Sequence, residues 1–597
     1  MRTIVEPALV PLPTSGSLCD DVERRFAEDP NVVMLRRREG TQWHSVTVAD
    51  FRAEVMAVAK GLVAKGVRPG DRVALMSATR YEWTLADYAI WYAGAVTVPI
   101  YETSSPEQVE WICQDSAAVA IFLENERHAS VFAEARTQLP MPVQEFVFEQ
   151  GAIAELSAAG ASVPDHEIDT RRAALTPEST ATIIYTSGTT GRPKGCVLTH
   201  SNFMADVRNV VNSMPELFLT NTSSTLLFLP IAHVFGRVIQ VGCIYSGTVL
   251  GHSSDIKSIL ADLESFRPTF LLAVPRVFEK VYNSAEQKAA AAGKSKIFAT
   301  AVDVAVAYSQ SVERGGPGLL LRAKHALFDR LVYAKLRAAL GGEVSYAVSG
   351  GAPLGERLGH FFRGIGVTIL EGYGLTETTG ATTINRPDCV KVGSVGRPIP
   401  GAGVRIAEDG EVMISGGQVF PGYWHNERAT AEAIGADGWF HSGDIGELDD
   451  EGFLRITGRK KELIVTAGGK NVAPAVLEDR LRAHFLVSQC MVVGDGRPYV
   501  AALITLDQEA LAAWSGINGL PAGLTLAEAA AHPQVQEAVG AAVAEANRAV
   551  SNAEAIKRYE ILEVDWTEDS GQLTPSMKLK RNVVMSDFAV AVERLYS

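Results

Sequence analysis

The string YTSGTTGRPKG, residues 185–195, follows the apolar run ATII and speaks most directly of chemistry. A strand running into a loop of Ser, Thr and Gly presents backbone N–H groups and hydroxyls with no bulky side chain in the way. Thr186, Ser187, Gly188, Thr189 and Thr190 could thus wrap a polyphosphate, with Lys194 supplying a compensating charge. The string is not a Walker loop, because the G-x-x-x-x-G-K-[ST] spacing is missing. On composition alone, an ordinary surface loop accounts for it equally well. Other single candidates also have plain structural explanations. His233 lies in an apolar segment, where a histidine is usually a satisfied core residue. Glu377 could cap a helix, Asp444 could simply make a turn, and Lys578 could be a solvated lysine.

The elements that must hold these residues alternate. Residues 48–64 read as an amphipathic helix, residues 71–77 as a buried strand and residues 82–94 as a second helix leading into the apolar AVTVPIY. Strands separated by helices imply βαβ units and largely parallel sheets covered on both faces. From about residue 390, short apolar runs are divided by turns such as Asp409-Gly410 and Glu451-Gly452, which predicts hairpins in a smaller antiparallel or barrel-like unit. Strands are expected near 490–494 and 499–505 and a helix near 534–550, preceded by a capping box at Thr525 and Glu528. These features place a boundary at about residue 458, between units 1–458 and 459–597. A helix-rich insertion spans about 285–342 and stops at Gly341-Gly342. Arg322, Lys324, Arg330, Lys335 and Arg337 make it locally basic, as a solvated face or as a surface docking on anionic lipid or acidic partners.

A chain of 597 residues suggests three to five compact units, or one large domain with a smaller companion. With 55 basic and 69 acidic residues, the formal charge of −14 argues against nucleic acid as a partner. Six scattered cysteines without a CxxC pair argue against a disulfide framework or zinc site and fit a reducing compartment. Glu6 and three prolines interrupt the N-terminal apolar run, so no export signal is read there. The stretch 217–236 is long enough to span a bilayer, but its polar 221–225 segment and Pro230 favour burial in a soluble core. A cytoplasmic protein is expected, with peripheral membrane contact left open.

The glycine-rich string resembles the phosphate loop of the adenylate-forming superfamily, which contains acyl-CoA synthetases, luciferases and peptide-synthetase adenylation domains. The strings LPIAHVF (229–235), SGGAPL (349–354), EGYGLTET (371–378), DGWFHSGDIG (437–446), GRKKELIVTAGGKNVAP (458–474) and LTPSMKLKR (573–581) follow in that family's order and carry the likeness over roughly residues 40–590. Within the superfamily the chain looks most like bacterial AMP-forming long-chain fatty-acid–CoA ligases. The resemblance implies a large α/β N-terminal domain with a β-barrel-like subdomain and a small mobile α+β C-terminal domain. It also implies fatty acid, ATP and coenzyme A as substrates, Mg2+ as cofactor and no stable protein partner.

A fatty carboxylate is a poor acyl donor because its leaving group would be oxide. Attack on the α-phosphate of ATP gives an acyl-adenylate with AMP as a far better leaving group, which a thiol can displace. Two anions meet in the first step, so the site needs cations and fixed donors. By resemblance, Glu377 and Thr186 hold Mg2+, a sparse protein ligand set that suits this ion. Tyr373 stacks on adenine and Gly372 and Gly374 let the backbone approach the nucleotide, within a string that also contributes Glu371 and Thr376, while Gly350, Gly351 and Ala352 line the other side of the base. Asp444 accepts from the ribose hydroxyls, and Arg459 contacts ribose or phosphate. Lys578 bridges substrate carboxylate and α-phosphate, although many relatives have Ser-Gly-Lys where this chain has Ser576-Met577-Lys578. His233 gates the thiol or acyl entrance, Lys461 is the hinge, and Gly468 and Gly469 border the pantetheine tunnel. Two other readings stay open: an enzyme that stops at the fatty acyl-adenylate, and one that adenylates another carboxylic acid. A non-catalytic descendant would be marked by loss of Glu377, Lys578 or the loop, and all are present.

Overall fold

The computed structural model describes residues 2–186, 192–254, 258–468, 470–521, 523–568, 570–574 and 577–597, with residue 517 described by its backbone only. A seven-stranded sheet carries the glycine-rich loop. Its five consecutive parallel strands are Gln144–Val147, Ala118–Leu123, Arg72–Met76, Val96–Ile100 and Thr180–Thr186, and the antiparallel strands Lys194–Thr199 and Gly422–Tyr423 complete it. The parallel strands are nearly continuous apolar runs because helices cover both faces. The helix Val48–Ala64 spans the residues its periodicity predicts and opens on a capping box between Thr47 and Asp50.

A second sheet runs Phe270–Ala273, Tyr346–Ser349, Thr368–Tyr373, Thr383–Ile384 and Arg397–Pro398, its first three strands parallel. A third, four-stranded sheet joins Ser224–Leu227 and Val249–His252 to the hairpin Val33–Glu39 and Gln42–Thr47. One apolar cluster, reaching from Leu18 to Leu454, knits these layers together. Within it, Arg237 and Asp87 form a fully buried ion pair, with Gln240 and Thr97 donating to the same carboxylate. Those hydrogen bonds are what makes two buried charges tolerable.

The hairpin-rich segment is a five-stranded antiparallel sheet of Arg2–Val5, Ala402–Ile406, Glu411–Gly416, Phe440–Leu448 and Leu454–Arg459. Gly410 and Gly452 turn its chain with φ of +85° and +88°, a region favouring glycine. The chain's first strand pairs Arg2–Val5 along Ala402–Ile406, a long-range partnership for which local patterning offers no signal.

Residues after Lys461 build on separate apolar clusters. One includes Leu477, Val492, Ile504 and Val539, and the other Met491, Leu503, Trp566 and Leu595. Their central sheet is Val487–Val493, Val500–Leu506 and Ile556–Ile561, with the small pair Ile464–Val465 and Asn471–Val472 beside it. The Thr525–Glu528 capping box forms as its spacing predicts, opening the helix Leu526–Ala531. The inserted helices begin earlier than their composition suggests. Pro275 starts the helix Pro275–Ala291, which Ser295–Val312, Leu319–Phe328, a π-turn at Asp329–Tyr333 and Ala334–Ala339 follow. Proline is pre-shaped for a helix's first turn, and the periodicity of the next segment masked it. The stretch 217–236 contains the end of one short helix, the strand Ser224–Leu227 and the start of another helix. No helix among the described residues is long and apolar enough to cross a membrane.

Candidate active site

The strand Thr180–Thr186 ends on Thr186, and Lys194 faces it in register on the returning strand. Ser187, Gly188, Thr189 and Thr190, read as the phosphate-wrapping residues, lie outside the described residues, as does Gly469. The Thr186 hydroxyl lies 3.8 Å from the Cys196 sulfur, and the Lys194 ammonium sits 5.0 Å from the centre of the Tyr423 ring. The Tyr423 hydroxyl donates to Glu377 Oε1 at 2.8 Å. Burial, and then the Glu377 carboxylate, push the Cys196 thiol far up, so it stays protonated. Thr186, Lys194 and Glu377 therefore share one wall, and Tyr423 is their common neighbour. Tyr423 was not singled out from the sequence. It lies 46 residues from Glu377, and no spacing connects the two.

The strand Thr368–Tyr373 supplies the next wall. Tyr373 donates to Asp444 Oδ2 at 2.6 Å, and Arg459 Nε reaches Asp444 Oδ1 at 3.1 Å. Asp444 and Arg459 are cross-strand partners in the antiparallel sheet, which fixes their meeting. Burial raises the pKa of Asp444 while Arg459, the Tyr373 hydrogen bond and Lys578 pull it down. Each Asp444 oxygen thus already has one donor, and a ribose hydroxyl would have to use the remaining lone pairs. The Tyr373 hydroxyl is likewise committed, leaving its ring as the part free to contact a base.

Glu371 buttresses this wall by accepting the Leu354 N–H at 2.9 Å. Burial pushes its carboxyl up to about 8, so it is neutral at pH 7. Its bond holds the turn containing Gly351, whose φ is +82°, and Ala352, both exposed. A Cβ on Gly350 would meet the Phe235 ring at 3.5 Å, while one on Gly374 would overlap the Gly380 carbonyl oxygen at 1.5 Å. Gly374 is therefore required by the chain's own crossing, quite apart from any nucleotide. Gly372 is similarly confined, 3.0 Å from the Thr383 carbonyl, and Thr376 begins the 3-10 turn that carries Glu377.

His233 caps the helix Val234–Ser246, its Nδ1 accepting the Phe235 N–H at 3.1 Å. Burial, followed by the charge of Lys578, holds its pKa down at about 3. It is neutral at physiological pH and fits a steric or hydrogen-bonding role better than a charged one.

Lys578 comes from the other unit. It sits at the end of a tight turn in which Thr574 N–H donates to the Lys578 carbonyl at 2.8 Å and Lys578 N–H to Thr574 Oγ1 at 3.0 Å. Met577 takes φ +60° there, the left-handed conformation for which glycine is suited. Arg581, bound to Glu462 and Glu478, ties the base of the turn down. Lys578 is open to solvent at its surface, yet the surrounding protein and Arg459 lower its pKa while Asp444, Glu377 and Glu462 oppose them. The lysine thus senses Asp444, Glu377 and His233 together. Lys461 stands exposed in the turn Lys460–Glu462, where Lys460 is held by Asp409 and Glu411 at 2.6 and 3.0 Å. Gly468 is exposed, its nearest prospective Cβ contact being Thr466 at 3.9 Å.

Among the described residues no three His, Cys, Asp or Glu side chains gather as a metal cage. One carboxylate and one hydroxyl, Glu377 and Thr186, face the same wall, and such hard oxygen donors fit an ion that takes most of its ligands from phosphate and water.

A model of the AMP-binding enzyme family matches residues 22–424, and one of the AMP-binding enzyme C-terminal domain matches residues 461–597. The long-chain-fatty-acid–CoA ligase FadD15 of Mycobacterium tuberculosis (strain ATCC 25618 / H37Rv) is 52% identical over 601 residues, covering 100% of both chains. Among solved structures, ATP-bound MatB from Rhodopseudomonas palustris aligns with a TM-score of 0.70 at 22% identity over 96% of this chain and 99% of its own. The o-succinylbenzoate coenzyme A synthetase of Bacillus subtilis, in complex with ATP and magnesium ion, aligns at 0.68 and 20% identity over 95% and 99%. At such identities these two speak for the fold alone.

Proposed function

Because the chain belongs to the AMP-binding enzyme family, as an acyl-CoA synthetase of the adenylate-forming superfamily, we propose that it is a long-chain fatty-acid–CoA ligase. It joins a long-chain fatty acid to AMP, releasing pyrophosphate, and then passes the acyl group to the thiol of coenzyme A, releasing AMP. The single observation that carries this reading is the Asp444 carboxylate held by Tyr373 at 2.6 Å and by Arg459 at 3.1 Å.

The first step brings a carboxylate against a polyphosphate. Lys578 neutralises the charge that gathers between carboxylate and α-phosphate, and Lys194 and the residues around Thr186 hold the departing phosphates. Asp444, positioned by Tyr373 and Arg459, orients the ribose. Glu377 and Thr186 are the residues that would hold Mg2+, with Tyr423 fixing the Glu377 carboxylate. When bound, the ion would draw off negative charge from the phosphates. Neutral His233 shields the reacting carbonyl from water without adding charge.

For the second step the unit 459–597 turns about Lys461, removing Lys578 and presenting Gly468 and Gly469 to the pantetheine arm, as hinge-gated enzymes do. Units 1–458 and 459–597 are the bodies we assign to that motion. The test is an assay of AMP and thioester across acids from acetate to C18, with and without coenzyme A. The reading expects thioester to form with the long acids, roughly 0.8 kcal/mol being gained per buried methylene until the tunnel ends. Accumulation of acyl-adenylate with no thiol dependence would replace the ligase reading with that of a fatty-acyl-AMP ligase.

A further inference from the structure

The inserted helix Leu319–Phe328 and its continuation through Ala334–Ala339 have two apolar faces, and only one is used by the fold. On the inner face, His325 stacks on Tyr308 with ring centres 3.9 Å apart and bonds the Gly364 carbonyl at 2.6 Å, while Tyr333 donates to Ala301 O at 2.6 Å. On the outer face, Leu320, Leu327 and Leu331 recur at helical spacing and stand 72%, 56% and 52% exposed, with Leu319 at 85% beside them.

Charge singles out what this second face fits. The chain as a whole carries −14, yet residues 319–340 hold five cations and one acid, Asp329, which Arg337 neutralises at 2.7 Å. Arg322, Lys324, Arg330 and Lys335 are all exposed, and none has an ion pair among the described residues. Lys324 and Lys335 flank the leucine stripe on one side and Arg330 on the other. Leucines in a row, edged by long cationic side chains whose stems can lie along apolar surface, match a helix lying in the headgroup layer of a bilayer. An acidic protein surface would satisfy the cations but not the exposed stripe of Leu320, Leu327 and Leu331. We propose that the outer face of residues 319–335 docks the protein on anionic lipid bilayers, with Leu320, Leu327 and Leu331 in the acyl boundary and Lys324, Arg330 and Lys335 among the headgroups. Docking stands on this surface alone. That it would place the enzyme where a long-chain acid partitions rests on the reaction proposed above.

The test is co-sedimentation of the full chain with vesicles of phosphatidylglycerol and phosphatidylcholine in equal parts, and of phosphatidylcholine alone. Binding to the anionic vesicles is expected and should weaken with salt. Lys324→Glu/Arg330→Glu/Lys335→Glu should lower the partition coefficient by on the order of a hundredfold. Leu320→Asn/Leu327→Asn/Leu331→Asn should lower it by at least roughly tenfold. Adenylation of a water-soluble acid by both variants should match the unsubstituted protein, which separates failure of docking from failure of the enzyme reading. Should either triple variant misfold, Leu327→Cys carrying a bimane label, in a Cys389→Ser background, decides the matter: its emission should shift to the blue on anionic vesicles. Equal binding by all variants, no preference for phosphatidylglycerol, an unshifted label, a stable dimer that the leucine variants dissolve, or equally tight capture by polyglutamate without need of the leucines would each overturn the proposal.

Discussion

The wall around Asp444 and the turn around Lys578 are built in opposite ways. Asp444 is nearly inaccessible, tied to Tyr373 and Arg459 and locked by strand register. Lys578 hangs from a turn held by its own Thr574, next to a methionine in a left-handed conformation that is 61% exposed. The first arrangement keeps dipoles and charges fixed, as preorganised stabilisation requires. The second delivers one charge and can be withdrawn, and a cycle that needs the lysine in one step and its absence in the next requires that difference.

Short of removing Lys578 itself, the largest expected effect comes from freezing the delivery. Lys461→Pro fixes φ at the hinge, so pyrophosphate exchange should stay within a few-fold while thioester formation from preformed adenylate falls on the order of a hundredfold. Equal losses in the two assays would erase the contrast.

The fixed wall has a pH signature of its own. The folded pKa of Glu371, about 8, lies above its ordinary value of 4.5. Between those values the unfolded chain has already released the proton that the fold retains, so this group makes stability fall as pH rises from about 5 to about 8. Glu371→Gln should flatten that decline in thermal melts and stabilise the protein at pH 8 by roughly 2–4 kcal/mol. An unchanged slope would mean that the carboxyl titrates normally. Tyr423→Phe strips the donor from Glu377 and should lower adenylation about tenfold, with a higher magnesium requirement and little change in melting temperature. A loss of stability with unaltered magnesium dependence would make Tyr423 a packing residue. Smallest of all, Met577→Gly should relieve the left-handed strain by about 1 kcal/mol while slightly loosening the turn. Calorimetry paired with exchange rates would show whether stability and rate part company there.

Much of this was legible in advance because it is local. The helix Val48–Ala64 announces itself by periodicity and cap, and Glu377, Asp444 and Lys578 by the strings around them. What stayed hidden depends on partners far apart in the chain. Tyr423 meets Glu377, Arg237 meets Asp87, and Arg2–Val5 pairs with Ala402–Ile406 only after the sheets assemble. The glycine of Gly374 was legible as a need for space but not as to whose, since the Gly380 carbonyl that crosses it belongs to the tertiary fold. The left-handed turn at Met577 escaped because methionine gives no sign of it.

The most direct trial of the account is fatty-acid-dependent ATP–pyrophosphate exchange in Lys578→Ala, beside thioester formation by the same variant from preformed acyl-adenylate. Exchange should drop by roughly a hundredfold to a thousandfold, with thioester formation nearly untouched. Exchange at the rate of the unsubstituted protein would contradict the assignment of that ammonium to the first step.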